Sequence, residues 1–136
     1  MRSLTLSLLL LAALAVPALA EGDAPEHKVT QSDSFIMIEP MYTSIVDAGR
    51  PAGVLLVAIG LDIPDATLRA EADHGMPVLR DAYVRSLMAF SAAAVRPTVQ
   101  PDVAMIADRL QRVTDKALHR KGARVLLAQV AIQAKH

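Results

Sequence analysis

The chain has 136 residues, with 14 basic side chains against 14 acidic ones, 53% hydrophobic and 3% aromatic residues, and no cysteine. That length holds one domain, and the apolar fraction excludes a disordered chain. A neutral balance with few aromatics gives neither an electrostatic footprint for a phosphate backbone nor a stacking platform for bases, so no nucleic-acid partner is expected. The absence of cysteine removes disulfide scaffolds, zinc–thiolate sites, iron–sulfur clusters and thiol catalysis together.

Residues 1–20 read as a signal peptide. Arg2 supplies the positive start, and Leu4 to Val16 is a weakly polar to apolar run. Pro17-Ala18-Leu19-Ala20 then offers small residues at Ala18 and Ala20, the two positions a signal peptidase reads, so cleavage is expected after Ala20. The alternative is a short inner-membrane anchor, but Leu4 to Leu19 is 16 residues, and a span usually takes about 20. The expected product is exported to the periplasm. Losing Arg2 leaves 13 basic against 14 acidic residues, too little net charge to steer a partner. Residues 21–34 (EGDAPEHKVTQSDS) are polar and aperiodic, and read as a flexible tether.

The domain is expected to run from Phe35 to the end, 35–136. Phe35 to Val46 is rich in β-branched and aromatic residues, and Pro40 makes it an edge strand or one broken at the proline. Asp47 to Gly53 has the composition of a reversing loop. Val54 to Leu61 is continuously apolar, as in a strand covered on both faces, and should pair antiparallel with the first. Asp65 can cap a short helix that Gly75 stops, and Pro77 opens a second with Leu79, Tyr83, Leu87 and Phe90 at helical spacing. Asp81 and Arg85 stand four apart as an ion pair on its surface.

A third helix is expected to bury Val103, Ile106, Leu110, Val113 and Ala117, with Gly122 as its left-handed cap. Gln111 falls off that stripe, where substitution by Asp should be nearly silent. Arg124 to Gln133 reads as a strand with Leu126, Ala128, Val130 and Ile132 on one face and Gln129 and Gln133 on the other. The reading is an α+β domain, a small antiparallel sheet with three helices in the order strand, strand, helix, helix, helix, strand.

Chemistry-bearing patterns are sparse. The histidines, His27, His74, His119 and His136, form no metal-ligand spacing, so no metal is expected. Asp73-His74-Gly75 is explained as a helix stop. No serine sits in a hydrolase motif, and the six glycines form no nucleotide cradle, so neither catalytic residues nor a cofactor is expected. The scattered methionines read as core gap-fillers.

Four pieces in this order carry a resemblance: Phe35-Ile-Met-Ile-Glu-Pro-Met41, the apolar strand Val54 to Leu61, Pro77-Val-Leu-Arg80-Asp81-Ala82, and the closing Val125 to Gln133. Together they resemble the periplasmic domain of the FliL-type flagellar basal-body-associated proteins, over about Phe35 to Gln133. The resemblance implies a fold similar to the stomatin or band-type domain and a non-enzymatic scaffold near the membrane, beside the flagellar stator and basal body, that supports motility. The family carries no catalytic residues to transfer, and it usually keeps a cytoplasmic head and full transmembrane helix, where this chain has a cleavable-looking start. The alternative is a soluble periplasmic binding module or chaperone-like factor unrelated to motility. For a self-associating scaffold, Arg69, Glu71, Arg80 and Arg85 on the polar faces of the first two helices are the candidate interaction residues, with the strand carrying Pro40 as the edge that pairs.

Overall fold

A computed structural model of the chain describes residues 32–135. The proposed signal with Ala18 and Ala20, and the tether up to residue 31, lie outside the described residues. The elements are β1 (Phe35–Met37), β2 (Met41–Asp47), β3 (Arg50–Asp62), α1 (Ala66–His74), α2 (Met76–Ala94), α3 (Val103–Ala117) and β4 (Arg124–Ala134). This is the expected α+β class, with one difference in count: Pro40 divides the first strand in two.

β3 is the spine of the sheet. β4 pairs with it from Gly53 to Asp62, while β1 and β2 share its other edge, all antiparallel. β1 matches Phe35 to Asp62, but β2 matches Met41 to Val57, so the register slips by one residue across Ile38-Glu39-Pro40. A proline has no N–H to give a ladder, and the edge is the position where the interruption is tolerated. Pairing reaches back past Phe35: Ser34 Oγ donates to Asp62 Oδ1 (2.7 Å), and the Ser34 carbonyl accepts from Ile63 N–H (2.8 Å).

The β2–β3 connection is tighter than the composition of Asp47 to Gly53 suggests. It is a two-residue turn, Ala48-Gly49, with φ of 48° and 77°. Positive φ at both central residues is the hairpin geometry whose twist matches that of the strands, so β3 already begins at Arg50. Pro51 is accommodated because β4 reaches only as far as Gly53 along that edge.

The core lies on one face of the sheet. Leu55, Val57, Ile59 and Leu61 of β3 are fully buried against Leu79, Tyr83, Leu87 and Phe90 of α2 and Ile106 and Leu110 of α3. Every apolar position expected for α2 is therefore inside. Two buried hydroxyl pairs cross the layers: Thr43 on β2 with Ser91 on α2, and Tyr83 on α2 with Thr114 on α3, each at 2.7 Å. Thr114 donates to the Leu110 carbonyl (2.8 Å), which leaves its oxygen to accept from Tyr83. Buried hydroxyls held this way fix which side chains meet, since a misaligned helix would strand them. Burial pushes the Tyr83 phenol above its ordinary pKa; the Asp115 carboxylate adds to this, and the Thr114 hydroxyl, able to turn and donate to a phenolate, offsets part.

Four sequence expectations are corrected. β3 is not sandwiched: its second face bears Val54 and Leu56 only half-buried, and what covers Gly60 is the Phe35 ring of β1 rather than another layer. The α3 stripe is rotated slightly, so Val103 is 45% exposed and Thr114 is buried instead; the Tyr83 hydroxyl gives Thr114 a reason to be inside. The left-handed residue after α3 is His119 (φ 55°), ahead of Gly122 (φ 125°). In β4, Leu126 and Ala128 do not share a face with Val130 and Ile132. The pairing passes from Leu127 opposite Ile59 to Gln129 opposite Ala58, so Ala128 is an extra residue. A one-residue bulge reverses the side-chain parity, placing Val125, Leu127, Val130 and Ile132 toward the core.

Candidate functional site

The four candidate charges are dispersed and occupied. Arg69 is turned inward to cap the end of β3, with Nη1 donating to the carbonyls of Ile63 (2.8 Å) and Pro64 (3.3 Å). Glu71, two residues further along α1, is paired with Arg120 at 3.7 Å, as is the capping Asp65. Arg80 holds Glu39 through both its carboxylate (3.1 Å) and its carbonyl (3.3 Å). That contact pins the start of α2 to the Ile38–Pro40 break and joins two of the four segments behind the FliL resemblance. Arg85 pairs with Asp81 on the exposed side of α2, as the spacing predicts. Glu71 and Arg85 are thus surface charges, whereas Arg69 and Arg80 also hold backbone in place.

A cleft of about 620 Å³ lies where α3, the α3–β4 turn and the end of β3 meet, lined by Asp62, Pro64, Gln111, Asp115, Lys121, Gly122, Ala123 and Arg124. Most of its polar groups already serve one another. Gln111 donates to Asp115 (2.9 Å) and to the Ala123 carbonyl (2.8 Å) and accepts from the Val125 N–H (2.9 Å), while Asp62 takes Ser34 on one oxygen and Arg124 (3.2 Å) on the other. Gln111, expected to be a bystander, is the clasp between α3 and β4. Among the described residues, no three of His, Asp and Glu come together to hold a metal ion.

One surface with unsatisfied backbone capacity is the outer edge of β4. Val125 donates to Gln111 on α3, so its N–H points away from β3. Beyond the bulge, Lys135 N–H donates to the Ala52 carbonyl of β3 (2.9 Å). Alternation along the strand then turns the N–H and C=O groups of Val130, Ile132 and Ala134 to the free edge. Among the described residues, no loop or side chain hydrogen-bonds to that stretch. From Val125 to Ala134 the strand has no charge, proline or glycine, so it lacks the side chains that usually blunt an edge; only the bulge at Ala128 remains. The β1–β2 edge differs at its junction, where Pro40 interrupts the ladder and Arg80 holds Glu39, although Met41–Val46 of β2 is likewise uncharged.

A groove of about 290 Å³ runs beside the open stretch, between Val130–Ile132 and the α2–α3 loop Pro97–Pro101. Val99 on that loop is 59% exposed, and Val103 follows at the start of α3. The sheet face away from the helices adds Met37 (55% exposed), Tyr42 (60%) and Leu126 (37%). The uncharged run was visible in the sequence. Its edge position was not, because it depends on which side of β3 each strand takes.

No family model matches the chain, and no curated protein is significantly similar to it. Among the described residues, no helix is long and apolar enough to cross a membrane.

Proposed function

We propose that this protein is a non-enzymatic periplasmic scaffold of the FliL type, which self-associates beside the flagellar basal body and stator and supports motility. The observation that carries the reading is the pairing of Arg80 with Glu39. It ties the Pro77–Ala82 helix start to the Phe35–Met41 segment, two of the pieces through which the chain resembles that family. The open edge of β4 supports the assembling part of the proposal, since a scaffold needs a surface to offer. Export and a mature start at Glu21 belong to the same reading, and the protein then works close to the inner membrane, by partner contacts or by a retained anchor.

An in-frame deletion tests it. The expected strain grows at the normal rate, swims more slowly and regains speed when the gene is returned, and the exported protein begins at Glu21 by mass spectrometry. Intact swimming in the deletion strain refutes the motility role. The cleft at Gln111 and Lys121 then favours the alternative, a soluble periplasmic binding module or chaperone-like factor. It ranks second because so much of the cleft's hydrogen-bonding capacity is spent internally.

A further inference from the structure

We infer that the free edge of β4 is the contact between two copies of this chain, paired antiparallel about a two-fold axis at Ile132 so that two sheets become one. The inference rests on the self-associating part of the reading above and names the surface, moving it from the Pro40 edge to the other side of the sheet.

Hydrogen-bond direction comes first. The groups that face outward belong to Val130, Ile132 and Ala134. An antiparallel pair centred on Ile132 sets Val130 against Ala134 of the second copy, Ile132 against itself, and Ala134 against Val130. Each is a hydrogen-bonded pair exchanging two backbone bonds. The groups left open by one copy are the ones the other supplies.

Side-chain chemistry makes the same register self-compatible. On the core side, Val130, Ile132 and Ala134 meet only one another, all aliphatic. On the outer side, Ala131 falls opposite Gln133 and Gln129 opposite Lys135, while Arg124 lies beyond the paired stretch. No like charges oppose, which is the condition a two-fold strand pair must meet. A register centred between Gln129 and Val130 would place Arg124 against Lys135 and is disfavoured on that ground.

The groove supplies side-chain contact. A strand added beside β4 carries its inward side chains over the space between Val130–Ile132 and Pro97–Pro101, where Val99 stands exposed. Gln111 sets one limit: by capping the Val125 N–H it closes the near end of the edge and confines pairing to the far end.

The test uses the full-length exported chain purified from the periplasm. Sedimentation should give a dimer at micromolar concentrations. Val130→Pro removes an N–H that serves only the free edge, so it should yield a monomer with an unchanged circular dichroism spectrum. Because the chain has no cysteine, Ile132→Cys should link covalently to its own copy under mild oxidation, while Ser44→Cys on β2 should not. Should Val130→Pro fail to fold, the Ile132→Cys arm decides alone. A dimer that links through Ser44→Cys and not through Ile132→Cys overturns the edge assignment and leaves the scaffold reading standing. A wild-type monomer whose Val130 and Ile132 amides are nonetheless protected from exchange also overturns it, since another segment of the same chain then covers the edge. If β4 dimers form but the deletion strain swims normally, the motility reading falls and this inference survives.

Discussion

Replacing Gln111 by Ala should loosen the joint between α3 and β4 measurably, although the residue lies off the apolar stripe. Its amide reaches the Ala123 carbonyl at 2.8 Å and accepts from the Val125 N–H at 2.9 Å, and a further 2.9 Å bond to Asp115 spans one turn of α3. Each bond to backbone is worth about 1 kcal/mol net in a partly buried setting, and the bond within the helix adds about 0.3 kcal/mol. The sum is roughly 2 kcal/mol, which for a domain of this size lowers Tm by about 10 °C. Thermal melts followed by circular dichroism check the size of the effect. Amide exchange checks its origin, because the Val125 N–H should lose protection while Leu61, across the ladder, keeps most of its own. Arg112→Ala, on the exposed side of the same helix, is the control and should melt within about 2 °C of wild type. If the two variants melt together and Val125 exchange is unchanged, the joint is held by apolar packing alone and the clasp is incidental.

Leu110→Asp buries an unpaired carboxylate at a fully buried position and should cost several kcal/mol, enough to abolish the cooperative melt. Tyr83→Phe should cost about 1 kcal/mol at neutral pH through the lost bond to Thr114. It should also flatten the alkaline side of the stability curve: a phenol whose folded pKa is raised contributes fully below the unfolded value of about 10, and its contribution is lost as pH climbs through the folded one. Urea titrations at several pH values separate the two effects. Gly60→Ala places a methyl group into the Phe35 ring and should cost about 1 to 3 kcal/mol; combined with Phe35→Ala, the loss should be clearly less than the sum of the two single variants.

Local chemistry made much of the fold legible. Asp65 does cap α1, accepting from the Leu68 N–H at 2.7 Å, and Asp102 does the same for α3 through Met105 at 3.0 Å. The buried set of α2 follows from spacing alone, because a helix with one covered face must repeat its apolar residues every three to four positions. What escaped depends on tertiary partners. Thr114 is inside because Tyr83 reaches it, and no period in α3 announces a hydroxyl 31 residues away. The bulge at Ala128 leaves no mark in a run of small and aliphatic residues, yet it reverses every side chain beyond it. Gln111 looked idle since its partners, Ala123 and Val125, are backbone groups whose sequence identity carries no signal. The candidate charges show the same limit: Arg69 and Arg80 read as free surface cations but are spent on the carbonyls of Ile63, Pro64 and Glu39. Reversing either would disturb folding before it reported on association.

The asymmetry between the two sheet edges connects architecture to assembly. A two-layer domain covers one face of its sheet with helices and leaves the other face and both edges to be managed by side chains. On the β1–β2 side that management is visible at the junction: Pro40 interrupts the ladder, and Glu39 carries a charge that Arg80 ties to α2. On the β4 side it stops at Gln111. The same strand spends Arg124 and Lys135 at its ends and keeps ten uncharged residues between them, although a single lysine near Ile132 would blunt the edge without touching the core. A chain without disulfides cannot leave such an edge exposed at no risk, since free strand edges are templates for uncontrolled pairing. Closed pairing with a second copy removes the hazard and fixes a defined geometry. In the proposed pair, the uncovered faces bearing Tyr42, Met37 and Leu126 would lie on the same side of the joined sheet.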